Sequence, residues 1–249
     1  ASFLVELEYR ANYAARAMLS VFWAGVTLVG AGVFYAHTET IGGWTFNEAL
    51  TIIGLFTFMG GFIQTFLQPN VQRIIEMIRL GTLDFVLTKP VNSQFMASLR
   101  YAQMFSMVDM LLGAGIVVWA CARLNYAPAP AVLAQFAVML SMAVLIVYSI
   151  WMVTATLAFW LVKVDNMAEL FNSVYDAGRF PVTTYQGLIR LALTFIIPIA
   201  FITTFPAESV LGRLDTTTLL AAVAMGVGLF TASALFWRRA VRSYSSASS

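Results

Sequence analysis

The chain holds one cysteine, one histidine and two lysines among its 249 residues. Cys121 alone can form no disulfide within the chain. Cys121 and His37 together cannot supply the four ligands of a Cys/His zinc site. Lys89 follows Thr88 and Lys163 follows Val162, so neither closes the Gly-Lys-Ser/Thr of a phosphate-binding loop, and these residues hold no such site for ATP. Charge is scarce as well. Asp, Glu, Lys and Arg make up 10% of the chain, against about 25% in soluble domains. Fourteen basic and twelve acidic side chains cannot cover the surface of a soluble domain of this size. A net charge of +2 offers no basic field to nucleic acid, which is therefore not an expected partner. Catalysis inside a membrane lacks its parts too. His37 stands at the end of an apolar run, and Tyr175-Asp176 matches one half of an intramembrane aspartyl protease pattern whose Gly-x-Gly-Asp half is missing. The expectation is a chain that is not an enzyme, with no cofactor or metal of its own.

What is abundant is apolar: 60% of residues, with a mean hydropathy of +0.82. That composition reads as an all-α membrane protein in contact with membrane lipids, each span needing about 20 residues. Six spans are expected, at about 17–36, 48–68, 102–122, 131–162, 185–206 and 217–237, forming one membrane domain over 17–249. Residues 1–16 precede it. There Phe3, Leu4, Leu7, Ala11 and Ala14 recur at helical spacing, with Glu6, Arg10 and Arg16 elsewhere on the wheel. This is read as a helix lying in the interface, the plainer alternative being an extension of the first span. No basic stretch leads into an apolar core before that span, so the span itself is expected to act as the targeting signal. The fourth run is long, but no Gly, Pro, Asn or Asp interrupts it from Ala131 to Val162. It therefore reads as one helix rather than two. The fifth is the weakest, with a dry core over 191–205, Arg190 reaching for the interface, and Pro198 expected to kink it.

Basic residues set the orientation. With six spans and a cytosolic N-terminus, 12 of the 14 lysines and arginines fall on the cytosolic side and only Arg123 and Arg213 outside. Both termini are therefore expected in the cytosol. Two buried polar residues stand out. Gln64 in span 2 and Asp109 in span 3 read either as contacts in a transport pathway or, for Asp109 near the cytosolic end, as a local pairing. Glycines on the spans (Gly25, Gly30, Gly32, Gly54, Gly60, Gly61, Gly113, Gly115, Gly226 and Gly228) read as helix-packing sites, although none forms a G-x-x-x-G. The twelve methionines read as adaptable packing.

The segment between spans 2 and 3, residues 69–101, is the most patterned. Val71, Ile74, Ile75 and Ile78 make an i, i+3, i+4, i+7 stripe, with Arg73, Glu76 and Arg79 off it. Gly81 is a helix stop. Leu83 to Leu87 form a second short piece, which Lys89-Pro90 ends. A helix of this kind, lying along the membrane face, can show its charged side to a cytosolic partner.

The run Ile78-Arg79-Leu80-Gly81-Thr82-Leu83-Asp84-Phe85-Val86-Leu87-Thr88-Lys89-Pro90 resembles the G-x-L-D-x-x-L-x-[KR]-P signature of ABC-2 type transporter permeases. Arg179-Phe180-Pro181, the Ile197–Phe201 and Phe205–Glu208 runs, and the tail from Trp237 to Ser246 are similar to later parts of the same family. The resemblance implies a transmembrane subunit of an ATP-driven exporter in a bacterial inner membrane. It would be paired with a second permease copy or a sister permease, and would sit on separate ABC ATPase subunits that bind the ATP and Mg. Its coupling helix would map to about 71–81, so Ile74, Ile75, Glu76, Ile78, Arg79, Gly81, Leu83, Asp84, Lys89 and Pro90 are the expected coupling residues. Gln64, Asp109 and Pro198 are the pathway or packing candidates. Re-entrant helices found before the last span of larger relatives have only about 207–216 to occupy, and are expected to be truncated or merged with span 5. The rival readings are a secondary carrier or channel working without an ATPase, and an anchoring protein that moves nothing.

Overall fold

The computed structural model describes residues 2–88, 93–98, 100–161 and 165–243. Among them the chain is helical, with one isolated backbone pairing, Ile41 to Trp44. Five helices are long and apolar enough to cross a membrane: Tyr13–Tyr35, Phe46–Arg79, Met104–Arg123, Pro130–Leu157 and Thr216–Arg242. They are labelled here as α1 (Ser2–Tyr35), α2 (Phe46–Arg79), α5 (Met104–Arg123), α6 (Pro130–Leu157) and α10 (Thr216–Arg242). Short helices α3 (Asp84–Leu87) and α4 (Ser93–Ser98) lie between α2 and α5. After α6 come α7 (Asp165–Tyr175), α8 (Gly187–Ile196) and α9 (Ile199–Val210). The bundle has a Trp44 end, carrying the 36–45, 124–129 and 211–215 connections. The opposite, Trp237 end carries α3, α4 and residues 158–161.

Helix α1 is unbroken from Ser2. Residues 2–16 thus join the first span without a break, as no glycine or proline interrupts the helical run.

Helices α2 and α5 pack closest, and glycine is the reason. A Cβ on Gly54 would sit 2.8 Å from the carbonyl oxygen of Gly113, and one on Gly61 would sit 2.7 Å from the Met110 nitrogen. Without those side chains the two backbones touch. Across the α6–α10 contact, a Cβ on Gly226 would meet the Met142 sulfur at 3.0 Å. Among the described residues, a Cβ added at Gly25, Gly30, Gly32, Gly115 or Gly228 meets nothing within 4 Å, so no close helix approach is seen at these glycines.

Span 2 does not stop at Pro69. The helix passes through a π turn over Ile63–Leu67 and runs on to Arg79. Pro69 has no N–H for the Thr65 carbonyl, and the Gln103 N–H fills that vacancy at 2.9 Å. Asn70, 1% exposed, secures the same spot. Its Nδ2 donates to the carbonyls of Phe66 (2.6 Å) and Tyr101 (2.7 Å), and its Oδ1 accepts from the Tyr101 N–H at 2.9 Å. The returning chain thus satisfies the backbone groups that the proline frees. The helix ends where Gly81 was expected to stop it. With Gly81 at φ +68, its N–H reaches the Ile78 carbonyl and that of Thr82 reaches Met77, a Schellman closure.

Helix α6 is single, as its uninterrupted run implies, but ends at Leu157 rather than Val162. Beyond it Phe159 and Trp160 turn onto Trp237 and Phe236 of α10. That contact places residues 159–160 at the Trp237 end. By Thr183, whose hydroxyl donates 2.6 Å to the Gly42 carbonyl, the chain has reached the Trp44 end. The passage between the ends is made by α7 and the 3₁₀ turn Asp176–Arg179, not by the segment 185–206 expected as span 5. That segment belongs to α8 and α9, which meet at the kink expected of Pro198, bent by 59°. Both sides of this pair touch the Trp44 end: Thr183 on Gly42, and Arg213 in an ion pair with Glu48. The pair therefore enters and leaves at one end. It occupies Gly187–Val210 in place of the truncated 207–216 expected from the sequence. Phe171 and Tyr175 anchor α7 on α6 and α2, while Glu169, Leu170, Asn172 and Ser173 stay exposed.

Candidate functional site

A groove of about 680 Å³ opens between α1, α2, the start of α5 and α7. Its polar wall includes Arg16, Gln64, Gln68, Ser106, Asp109 and Asn172. The two pathway candidates, Gln64 and Asp109, are thus brought to one cavity. Asp109 stands where α5 passes Gly61 of α2, the side on which its carboxylate is sheltered from lipid. Pro198 lies elsewhere, buried at the α8–α9 bend. It shapes the fold and does not line the groove.

Toward the Trp44 end the groove continues into an apolar reach of about 430 Å³, lined by Trp23, Val26, Ala31, Phe34, Ile53 and Phe180 among others. Trp23, Thr27 and Arg179 line both parts. One wall is fixed by Tyr175. Its hydroxyl donates 2.6 Å to the Phe56 carbonyl, and its ring stacks on Phe56 at 4.7 Å and on Phe171 at 6.0 Å. Arg179 pairs with Asp176 at 3.3 Å and lies 5.1 Å above the Phe56 ring. Gly178 lets the turn approach Ile199, whose Cγ2 would be 2.7 Å from an added Cβ. Residues 175–179 are the part of the site that sequence reasoning missed. The signal available was the Asp176–Arg179 spacing, which puts opposite charges one turn apart.

At the Trp237 end, α2 buries Val71, Ile74 and Ile75 and turns Arg73, Glu76 and Arg79 outward, as the stripe implied. Leu83 and Val86 are buried, Ile78 and Asp84 are half-buried, and Phe85 is 76% exposed. Leu80, Phe85 and Phe95 form exposed apolar ground beside these charges. A cleft of about 210 Å³ lies between them, lined by Arg73, Glu76, Val86, Met96, Arg100 and Tyr101 among others. The Arg73 guanidinium sits 3.7 Å over the Tyr101 ring. Lys89 and Pro90 lie outside the described residues.

The model of the ABC-2 family transporter proteins matches residues 21–248. The chain belongs to the ABC-2 transporter family. No curated protein and no solved structure gives a match. Proteins of the ABC-2 family are membrane components of transport, which agrees with a bundle of five or six membrane-length helices. In this ABC-2 chain the groove residues and the end-surface residues share one helix. Phe56, Gly60, Gly61 and Gln64 stand on the same α2 as Glu76 and Arg79.

Proposed function

We propose that this chain is the permease subunit of an ATP-driven exporter, forming the substrate path and coupling to separate ATPase subunits at the Trp237 end. The observation that carries the reading is membership of the ABC-2 family over residues 21–248. A motor in trans is consistent with a sequence in which no lysine follows a glycine; the ATP and Mg would be held by the partner chain. Sidedness is supported by the basic residues. With the fifth crossing at α7, eight arginines among the described residues fall on the Trp237 side and Arg123, Arg190 and Arg213 on the other, with Arg179 between. A Trp237 end in the cytosol, with both termini there, fits the excess. A bacterial inner membrane and a second permease beside this one belong to the same reading.

The coupling route differs in form from a separate helix lying flat on the membrane. The 34 residues of α2 make a rod of about 51 Å. Movement of Glu76 or Arg79 by an ATPase, with Phe85 of α3 beside them, is delivered along it to Gly61 and Gln64 in the groove wall. The π turn at Ile63–Leu67 lies between the two and supplies the place where the rod flexes.

The test is co-purification with an ABC ATPase encoded beside this chain. Hydrolysis is expected to rise only when the chain is present, and to lose that rise in Glu76→Lys with Phe85→Asp. Gradient-driven transport by liposomes holding this chain alone would refute the reading, as would unchanged stimulation in the double variant.

A further inference from the structure

We propose that the groove takes an amphiphile whose anionic group adjoins its apolar chain, seated with the anion on Arg179 and the chain between α1 and α2. This rests on the reading of the groove as the permease's substrate path. Arg179 stands at the junction of the polar and apolar reaches. Its guanidinium carries five N–H groups, and among the described residues its acceptor is Asp176 Oδ1 at 3.3 Å. Its side chain is 41% exposed, while its Nε is covered and without an acceptor among the described residues. A cation at the depth of Phe56, held by one long hydrogen bond and by that ring's face at 5.1 Å, still has donors to satisfy. An oxyanion arriving through the groove supplies what it lacks, since guanidinium pairs strongly with carboxylate or phosphate.

The two reaches then fix the ligand's order. The apolar one offers Trp23, Val26, Phe34 and Ile53, with Arg179 the one charged side chain among the described residues that line it. Its volume of about 430 Å³ falls within the range of about 300–1,000 Å³ usual for small-molecule sites. The polar one offers Gln64, Gln68 and Ser106 for hydrogen bonds, and its charges are of both signs: Arg16 and Arg179 with Asp109 and Asp176. Beyond Arg179 that wall suits a head in which hydroxyl or amine groups follow the negative group next to the chain.

The experiment uses the full chain in nanodiscs of zwitterionic lipid, titrated with bromododecyl phosphate below its micelle concentration. The bromine quenches Trp23 as the chain enters the apolar reach. Saturable quenching is expected, and Trp23→Phe should remove it. Arg179→Gln should raise the dissociation constant about tenfold or more, as loss of a charge-assisted hydrogen bond implies. Arg179→Lys should raise it less. Gly30→Phe fills the apolar reach at a position where a Cβ meets nothing within 4 Å, and should abolish the saturable component without disturbing the fold. Bromododecyl trimethylammonium should show no dependence on Arg179. Equal affinity in the parent, Arg179→Gln and Gly30→Phe proteins would overturn the proposal, as would tighter binding of the cationic amphiphile. No ATPase takes part, so such a failure leaves the permease reading standing; loss of ATPase stimulation, in turn, leaves the binding result untouched.

Discussion

Replacing Gly113 by alanine tests the tightest contact in the bundle. A methyl group there would lie 2.5 Å from the Gly54 carbonyl oxygen and 2.7 Å from the Phe58 Cα. Both are backbone atoms of a neighbouring helix and cannot swing aside as a side chain would. Relief requires α2 and α5 to move apart by roughly 1 Å, the gap between these distances and ordinary van der Waals contact. The separation loosens Leu50 and Ile53 against Ile116 and Ala120, a buried cluster spanning that interface. Overpacking of this kind costs about 1–3 kcal/mol, and rigid backbone on the far side puts this case near the upper figure. For a chain of this size about 3 kcal/mol lowers Tm by roughly 6–12 °C. The assay is thermal unfolding in a fixed detergent, with Gly115→Ala as the control. Gly115 lies on the same helix and meets nothing within 4 Å, so its alanine variant should melt at or slightly above the parent temperature. Equal melting of the two variants would refute the close-approach account of the α2–α5 contact.

Three further outcomes are expected. Asn70→Ala removes one acceptor and two donors that tie Tyr101 and Phe66 to the Pro69 turn; it should cost about 2–3 kcal/mol and speed amide exchange at Tyr101 and Gln103 first. Gly81→Ala, at φ +68, should destabilise the end of α2 by about 1 kcal/mol, read as faster proteolysis between Arg79 and Thr88 with groove binding unchanged. Asp215 caps α10, and hydrogen bonds from the hydroxyl and the N–H of Thr218 hold its carboxyl below the usual carboxylate range. A depressed folded-state pKa contributes stability above the unfolded value of about 3.9, lost as pH falls through the folded one. Wild type should therefore lose that increment on acidification, and Asp215→Asn should not show the loss.

Much of the fold was legible because the physics involved is local. Apolar runs of membrane length marked α1, α2, α5, α6 and α10, and Gly81 and Pro198 marked a stop and a bend that both occur. The stripe Val71, Ile74, Ile75 foretold which side of the α2 extension is buried. Pro69 misled because its usual effect is local and its remedy is not: the Gln103 N–H and the Asn70 amide come from or reach to chain more than thirty residues away. Gln64 and Asp109 could be singled out as polar residues in apolar runs, yet nothing in their spacing shows that they share a cavity with Arg179.

Composition and periodicity were enough to determine that this chain is a membrane bundle and which residues fill its longest helices. The tertiary structure decided which segment makes the fifth passage. The polar α7 makes it, held to α6 and α2 by Phe171 and Tyr175 alone among its buried described side chains, while the more apolar 191–205 bends at Pro198 and returns to the end it came from. It also decided the groove, because a cavity is made by helices distant in sequence and close in space. Hydropathy measures what a segment gains in lipid; only packing reveals whether lipid is what the segment meets.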